Sequence, residues 1–126
     1  MSVKLDYFKQ SLDRLDEVMK EHKTGIVRDS AIKRYEICYE LAWKSIQVFL
    51  KSEGLETCNS PKQCYKKAFQ LGLVTDEPGF ASMIENRNLT THAYDEKLAE
   101  MVYGKIPGYL VLFQSLWRRL GEEKNR

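Results

Sequence analysis

Apolar residues recur every three or four positions through most of the chain, and no segment alternates with a period of two over a useful length. Leu5, Phe8, Leu12, Leu15, Val18 and Met19 keep one helical phase with charges between them, which predicts an amphipathic helix over about residues 3–22. Lys23-Thr24-Gly25 would end it, with His22 in its last turn facing solvent or capping. A longer helix should begin near Asp29 or Ser30 and run to about Glu53, stopped by Gly54. Its wide face carries Ile32, Tyr35, Cys38, Tyr39, Ala42, Ile46, Phe49 and Leu50, with Trp43 at the margin. A thinner stripe of Ile37, Leu41 and Val48 lies well around the cylinder, and the strip between holds Lys33, Glu36, Glu40, Lys44 and Gln47. A helix apolar on two sides is either central to a bundle or shared between its own core and a partner.

Asn59-Ser60-Pro61-Lys62-Gln63 reads as a third helix start, with Ser60 as N-cap, Pro61 first inside, and Gln63 reaching back as in a capping box. Cys64, Tyr65, Ala68 and Phe69 would face inward, and Gly72 would supply the left-handed stop. Thr75-Asp76-Glu77-Pro78 opens a short fourth helix. A fifth begins at Asp95 and keeps one apolar phase through Leu98, Met101, Val102, Ile106, Tyr109, Leu110, Phe113, Leu116, Trp117 and Leu120. Pro107 removes the bond to the Tyr103 carbonyl, so a kink or brief break is expected near residues 104–108. The tail from Gly121 should fray. The pattern predicts an all-α protein: one domain over residues 1–126, an antiparallel up-and-down bundle of about five helices.

Composition narrows the functional classes. With 30% charged residues, 43% apolar residues and a formal net charge of +2, the chain is globular, and no global basic field marks it for nucleic acid. Any RNA contact has to rest on a local patch. Cys38, Cys58 and Cys64 are odd in number and lack CxxC spacing, so free structural thiols in a reducing cytoplasm are expected. Neither a signal core nor a membrane-spanning run is present, which places the protein in the cytoplasm.

Chemistry concentrates in Arg87-Asn88-Leu89-Thr90-Thr91-His92-Ala93-Tyr94. Arg87 shares a face with Phe80, Met83 and Ile84, where a permanent charge is costly unless paired or employed. Either Glu36 or Glu40 pairs with it, or those glutamates belong to a solvated strip with Glu40 and Lys44 as an i,i+4 pair. Asn88, Thr90 and Thr91 are poor helix formers, so regular helix should stop there, and Asp95 would cap the next helix, whose positive end favours a phosphate. On residues alone, a lone histidine and a tyrosine before a helix are more often structural.

Several segments together resemble the nucleotidyltransferase substrate-binding protein family, a branch of the HEPN superfamily. These are Arg34-Tyr35-Glu36, Tyr39-Glu40-Leu41-Ala42-Trp43-Lys44, Ser60-Pro61, the run Ala68 to Leu73, and Glu85 to Asp95, in order over roughly Leu5 to Trp117. The superfamily's R-x-x-x-x-H mark falls on Arg87 and His92, with Asn88 as the polar residue and Tyr94 two beyond the histidine. The resemblance implies a HEPN-like helical fold, no cofactor or metal, and a small nucleotidyltransferase as partner. It further implies a toxin–antitoxin pair: a homodimeric ribonuclease with a composite site, silenced when the partner attaches AMP to Tyr94. The products would be a 2′,3′-cyclic phosphate and a 5′-hydroxyl.

The residue types suit that chemistry. An imidazole titrates near neutrality and moves a 2′-hydroxyl proton, for which His92 is the candidate. A guanidinium fork matches phosphate oxygens, which is the role for Arg87, and Asn88 is placed to position either. On an ideal helix, however, Arg87 and His92 point about 140° apart. The helix must end between them, or a second copy must complete the site, with the stripe of Ile37, Leu41 and Val48 as part of that contact. Two other readings stand beside the ribonuclease: a non-catalytic substrate-binding subunit whose Arg87 grips a phosphate, and a scaffold in which Arg87 is merely salt-bridged. The chain lacks the strand scaffold and paired aspartates of a nucleotidyltransferase, and it has no recognition helix for DNA.

Overall fold

The computed structural model describes residues 3–124, all of whose regular elements are helical. Helix α1 spans Val3–Met19, α2 Gly25–Ser52, α3 Pro61–Gln70, α4 Glu77–Leu89 and α5 Glu96–Lys124, with a single 3-10 turn, Thr90–His92, between the last two. The long helices α1, α2 and α5 pack on one another, while α3 lies on α2 and α4 on α5. The core runs along their shared seam through Phe8, Leu12, Leu15, Tyr35, Ile46, Phe113 and Leu116, all fully buried. The all-α bundle expected from the periodicity is what forms, and the wide face of α2 is buried at every position read as core.

Several boundaries moved, each for a local reason. Gly25, expected to close α1, instead opens α2, because Thr24 is extended and its side chain accepts a hydrogen bond from Val27 N at 3.1 Å. Helix α1 correspondingly stops at Met19, leaving His22 exposed in the connection. The Ser60 cap forms, accepting from Gln63 N at 3.2 Å, but the Gln63 side chain reaches one residue further back, to Asn59 N at 2.8 Å. Gly54 and Gly72 adopt φ of 69° and 75°, the left-handed stops anticipated for α2 and α3. The break expected at Pro107 is absent: α5 runs unbroken through it. Gly104, Pro107 and Gly108 all face solvent, so the ring of Pro107 lies on the outer side of the helix. Helix α5 also continues past Gly121 to Lys124, because Leu120 is still buried; the rest of the tail expected to fray lies outside the described residues.

Two side-chain expectations are corrected. Cys58 and Cys64 are joined by a disulfide, their Cα atoms 5.1 Å apart, and only Cys38 is free. The turn into α3 brings the two residues within disulfide reach, which their spacing in sequence does not reveal. Burial pushes the Cys38 thiol up to about 12. Phe69, read as part of the inner face of α3, is 39% exposed, and the helix buries Cys64, Tyr65 and Ala68 instead.

Candidate functional site

Helix α4 ends at Leu89 because its last residues favour side-chain bonding over helix. Thr90 is buried, and its hydroxyl donates to the Arg87 carbonyl at 2.7 Å, closing the helix end on itself. The 3-10 turn then carries His92 into solvent, and Asp95 caps α5 by accepting from Leu98 N at 3.2 Å. The α-helix does stop between Arg87 and His92, one of the two possibilities their spacing left open.

Arg87 points to α2. Its Nη1 lies 3.3 Å from Glu36 Oε2 and its Nη2 4.0 Å from Glu40 Oε1, so of the two alternatives the paired one forms. Glu40 also stands 4.0 Å from Lys44 and accepts from the Trp43 indole at 3.0 Å. The guanidinium donates to Thr90 Oγ1 at 3.1 Å and sits 6.0 Å from the centre of the Tyr39 ring. Its Nε is buried and has no partner. Burial lifts the Tyr39 hydroxyl to about 12, with Glu40 adding to the rise and Arg87 opposing it. Arg87, Lys33, Glu36 and Glu40 border an open cavity of about 260 Å³, floored by Ile37 and Leu41.

His92 and Tyr94 form a second pair, Nδ1 to Oη 3.1 Å apart, with the tyrosine 82% exposed. Among the described residues no hydrogen bond or ion pair links this pair to Arg87. Asn88 is exposed, and its carbonyl accepts from Thr91 Oγ1 at 3.4 Å. The predicted residues therefore sit on one arc as two separate clusters.

Groups not singled out in the sequence hold that arc. Beneath α4, Tyr109 of α5 receives the buried Asn86 amide at 2.5 Å and meets Ser82 Oγ at 2.6 Å. Tyr109 also stacks on Tyr35, whose hydroxyl donates to the Met83 carbonyl at 2.6 Å. On the far side, Arg28 at the start of α2 is nearly buried, and it binds Glu96 at 2.6 and 3.2 Å, Glu100 at 3.1 Å and Asp29 at 3.0 Å. Lys23 joins the same group through Glu100. The bonds from Arg28 hold the Glu96 carboxyl below the usual carboxylate range, and those from Lys23 and then Arg28 do the same for Glu100. Glu96 and Glu100 lie 68 and 72 residues from Arg28 in the chain, so no local spacing exposes them.

With this geometry in hand, comparison with known proteins places the chain. It belongs to the family described as nucleotidyltransferase substrate binding protein like, whose model matches residues 3–122. Among curated proteins it is similar to "Probable ribonuclease HepT" of Haemophilus influenzae strain Rd, with 30% identity over 95 residues, covering 69% of this chain and 65% of that protein. A crystal structure from Thermus thermophilus superposes with a TM-score of 0.82 at 35% identity, covering 90% of this chain and 98% of that one. A Haemophilus influenzae structure, described as revealing the fold of a substrate binding domain of a nucleotidyltransferase, superposes with a TM-score of 0.82 at 23% identity, over 92% and 98%; it speaks to the fold alone. Among the described residues no helix is long and apolar enough to cross a membrane.

Proposed function

We propose that this chain is a HEPN-type endoribonuclease, using no metal, that a partner nucleotidyltransferase silences by attaching AMP to Tyr94. The observation that carries the reading is the 3.1 Å contact between His92 Nδ1 and Tyr94 Oη on an exposed turn. An accessible phenol is open to a partner enzyme, and this one touches the base it would disable. In cleavage, His92 takes the 2′-hydroxyl proton, the freed oxygen attacks phosphorus to form the 2′,3′-cyclic phosphate as the bond to the 5′-oxygen breaks, and that oxygen takes a proton from solvent. Arg87 neutralises charge building on the phosphate, and Asn88 orients it from the same helix end. In silencing, Tyr94 Oη attacks the α-phosphorus of a bound nucleoside triphosphate, pyrophosphate departs, and the phenol proton is released. The phosphodiester then stands where the hydroxyl met His92.

Because the two clusters share no bond within one chain, a second copy that sets its His92 against this Arg87 completes the site, and a homodimer is part of the proposal. Ile37 of the second α2 stripe, 44% exposed beside the Arg87 cavity, is a candidate contact. One observation favours the alternative of a non-catalytic substrate-binding subunit: Arg87 already faces two carboxylates, which weakens its pull on a phosphate. Expression of the chain alone in a bacterial host, beside His92→Ala at equal soluble level, separates them. Growth arrest and RNA cleavage by the wild type, lost in His92→Ala, support the ribonuclease. Equal growth and intact RNA in both support the binding subunit.

A further inference from the structure

Helix α3 carries Lys62, Lys66 and Lys67 and no carboxylate. Lys67 pairs with Glu56 at 3.8 Å, whereas Lys62 and Lys66 have no ion pair among the described residues. These two lysines rim a groove of about 160 Å³ between α3 and α4, with Phe69 at its mouth. The floor is apolar, made by Tyr65, Val74, Phe80 and Ile84. Lys62, Lys66 and Phe69 recur at i, i+4 and i+7, so cations and ring share one face of α3. The opposite wall leads to the candidate site: Glu77, Ala81, Ile84 and Asn88 fall on one face of α4, the last in the turn that holds Arg87.

An exposed aromatic ring over an apolar slot, beside two unpaired cations that outnumber the groove's one carboxylate, Glu77, suits a polyanion with planar bases better than a neutral or basic surface. Phosphates neutralise the lysines and a base stacks on the ring, which is how single strands are held without sequence readout. We propose that the α3–α4 groove binds single-stranded RNA next to the reacting phosphate, with one base on Phe69 and backbone phosphates on Lys62 and Lys66. The strand then follows α4 to Asn88. This rests on the reading of RNA as substrate.

The test is fluorescence anisotropy of a short labelled single-stranded RNA with the full chain carrying His92→Ala, which binds without cutting, alongside cleavage by chains with an intact motif. Adding Lys62→Ala and Lys66→Ala should weaken binding roughly tenfold and flatten its dependence on log salt by about 1.4. Phe69→Ala should weaken it about fivefold or more. In cleavage the same changes should raise KM and leave kcat alone. If the variants bind RNA as tightly as their parent, the groove proposal fails while the ribonuclease reading stands. If the chain binds RNA through these residues but cuts none, the groove stands and the ribonuclease reading falls. Loss of binding to the co-expressed nucleotidyltransferase with RNA affinity unchanged would make the groove a protein-docking surface, and absence of any RNA binding would overturn the proposal outright.

Discussion

Two arginines in this chain each face a pair of glutamates, and the difference between them separates a joint from a site. Arg28 is saturated: every guanidinium nitrogen donates to a carboxylate, and the side chain is 7% exposed. Arg87 is not. Its nearest carboxylate oxygens stand at 3.3 and 4.0 Å, its Nη2 comes no nearer than 4.0 Å to Glu40, and its side chain is 24% exposed beside an open cavity. A guanidinium with four of its five N–H groups bonded to carboxylates fixes two helices and has little left for a ligand. One that keeps donors in reserve over a cavity has capacity to bind.

Substitution is the sharpest way to break the comparison. Arg87→Met should lower RNA cleavage by about a hundredfold or more, the usual cost of losing a charge-stabilising donor. Its melting temperature should change little, because Glu36 and Glu40 are themselves partly solvated. Arg28→Met should act mainly on stability, lowering the melting temperature measured by circular dichroism while reducing kcat far less than Arg87→Met does. It should also flatten the acid limb of the stability curve. Glu96 and Glu100 have folded pKa values below the ordinary 4.5, so the folded state binds fewer protons than the unfolded one. Their contribution is complete above about that pH and fades as pH falls through the lowered values; without Arg28 the share from Glu96 disappears, while Lys23 keeps part of the share from Glu100. The mildest change sharpens the comparison from the other side. Glu36→Gln removes one competitor for Arg87 and should tighten RNA binding by about fivefold at most, as expected for a partly exposed ion pair.

These two arginines also show how far sequence reaches. Arg87 stood out because a charge on the face of Phe80 and Met83 contradicts a local 3.6-residue period, and that contradiction is visible within one helix. Arg28 gave no such sign, since it precedes the apolar run of its helix and its partners come from the far end of the chain. The helices themselves were legible for the same local reason, down to the Ser60 and Asp95 caps. Thr24 was not, because a threonine-glycine pair serves equally as an ending or a beginning until tertiary contacts choose. The exposure of Phe69 and the Tyr109 network depend on how α3 and α4 dock, and the Cys58–Cys64 bridge on the shape of the turn into α3, none of which a single-helix periodicity encodes.

The arc from Thr90 to Asp95 is tied down on both flanks, by Asn86 to Tyr109 before it and by Glu96 to Arg28 after it. A short segment clamped so closely has little slack to swing away as a lid. Whatever meets His92 must therefore arrive by direct collision with a fixed, open face, so the encounter rate would be set by diffusion and charge rather than by waiting for a gate.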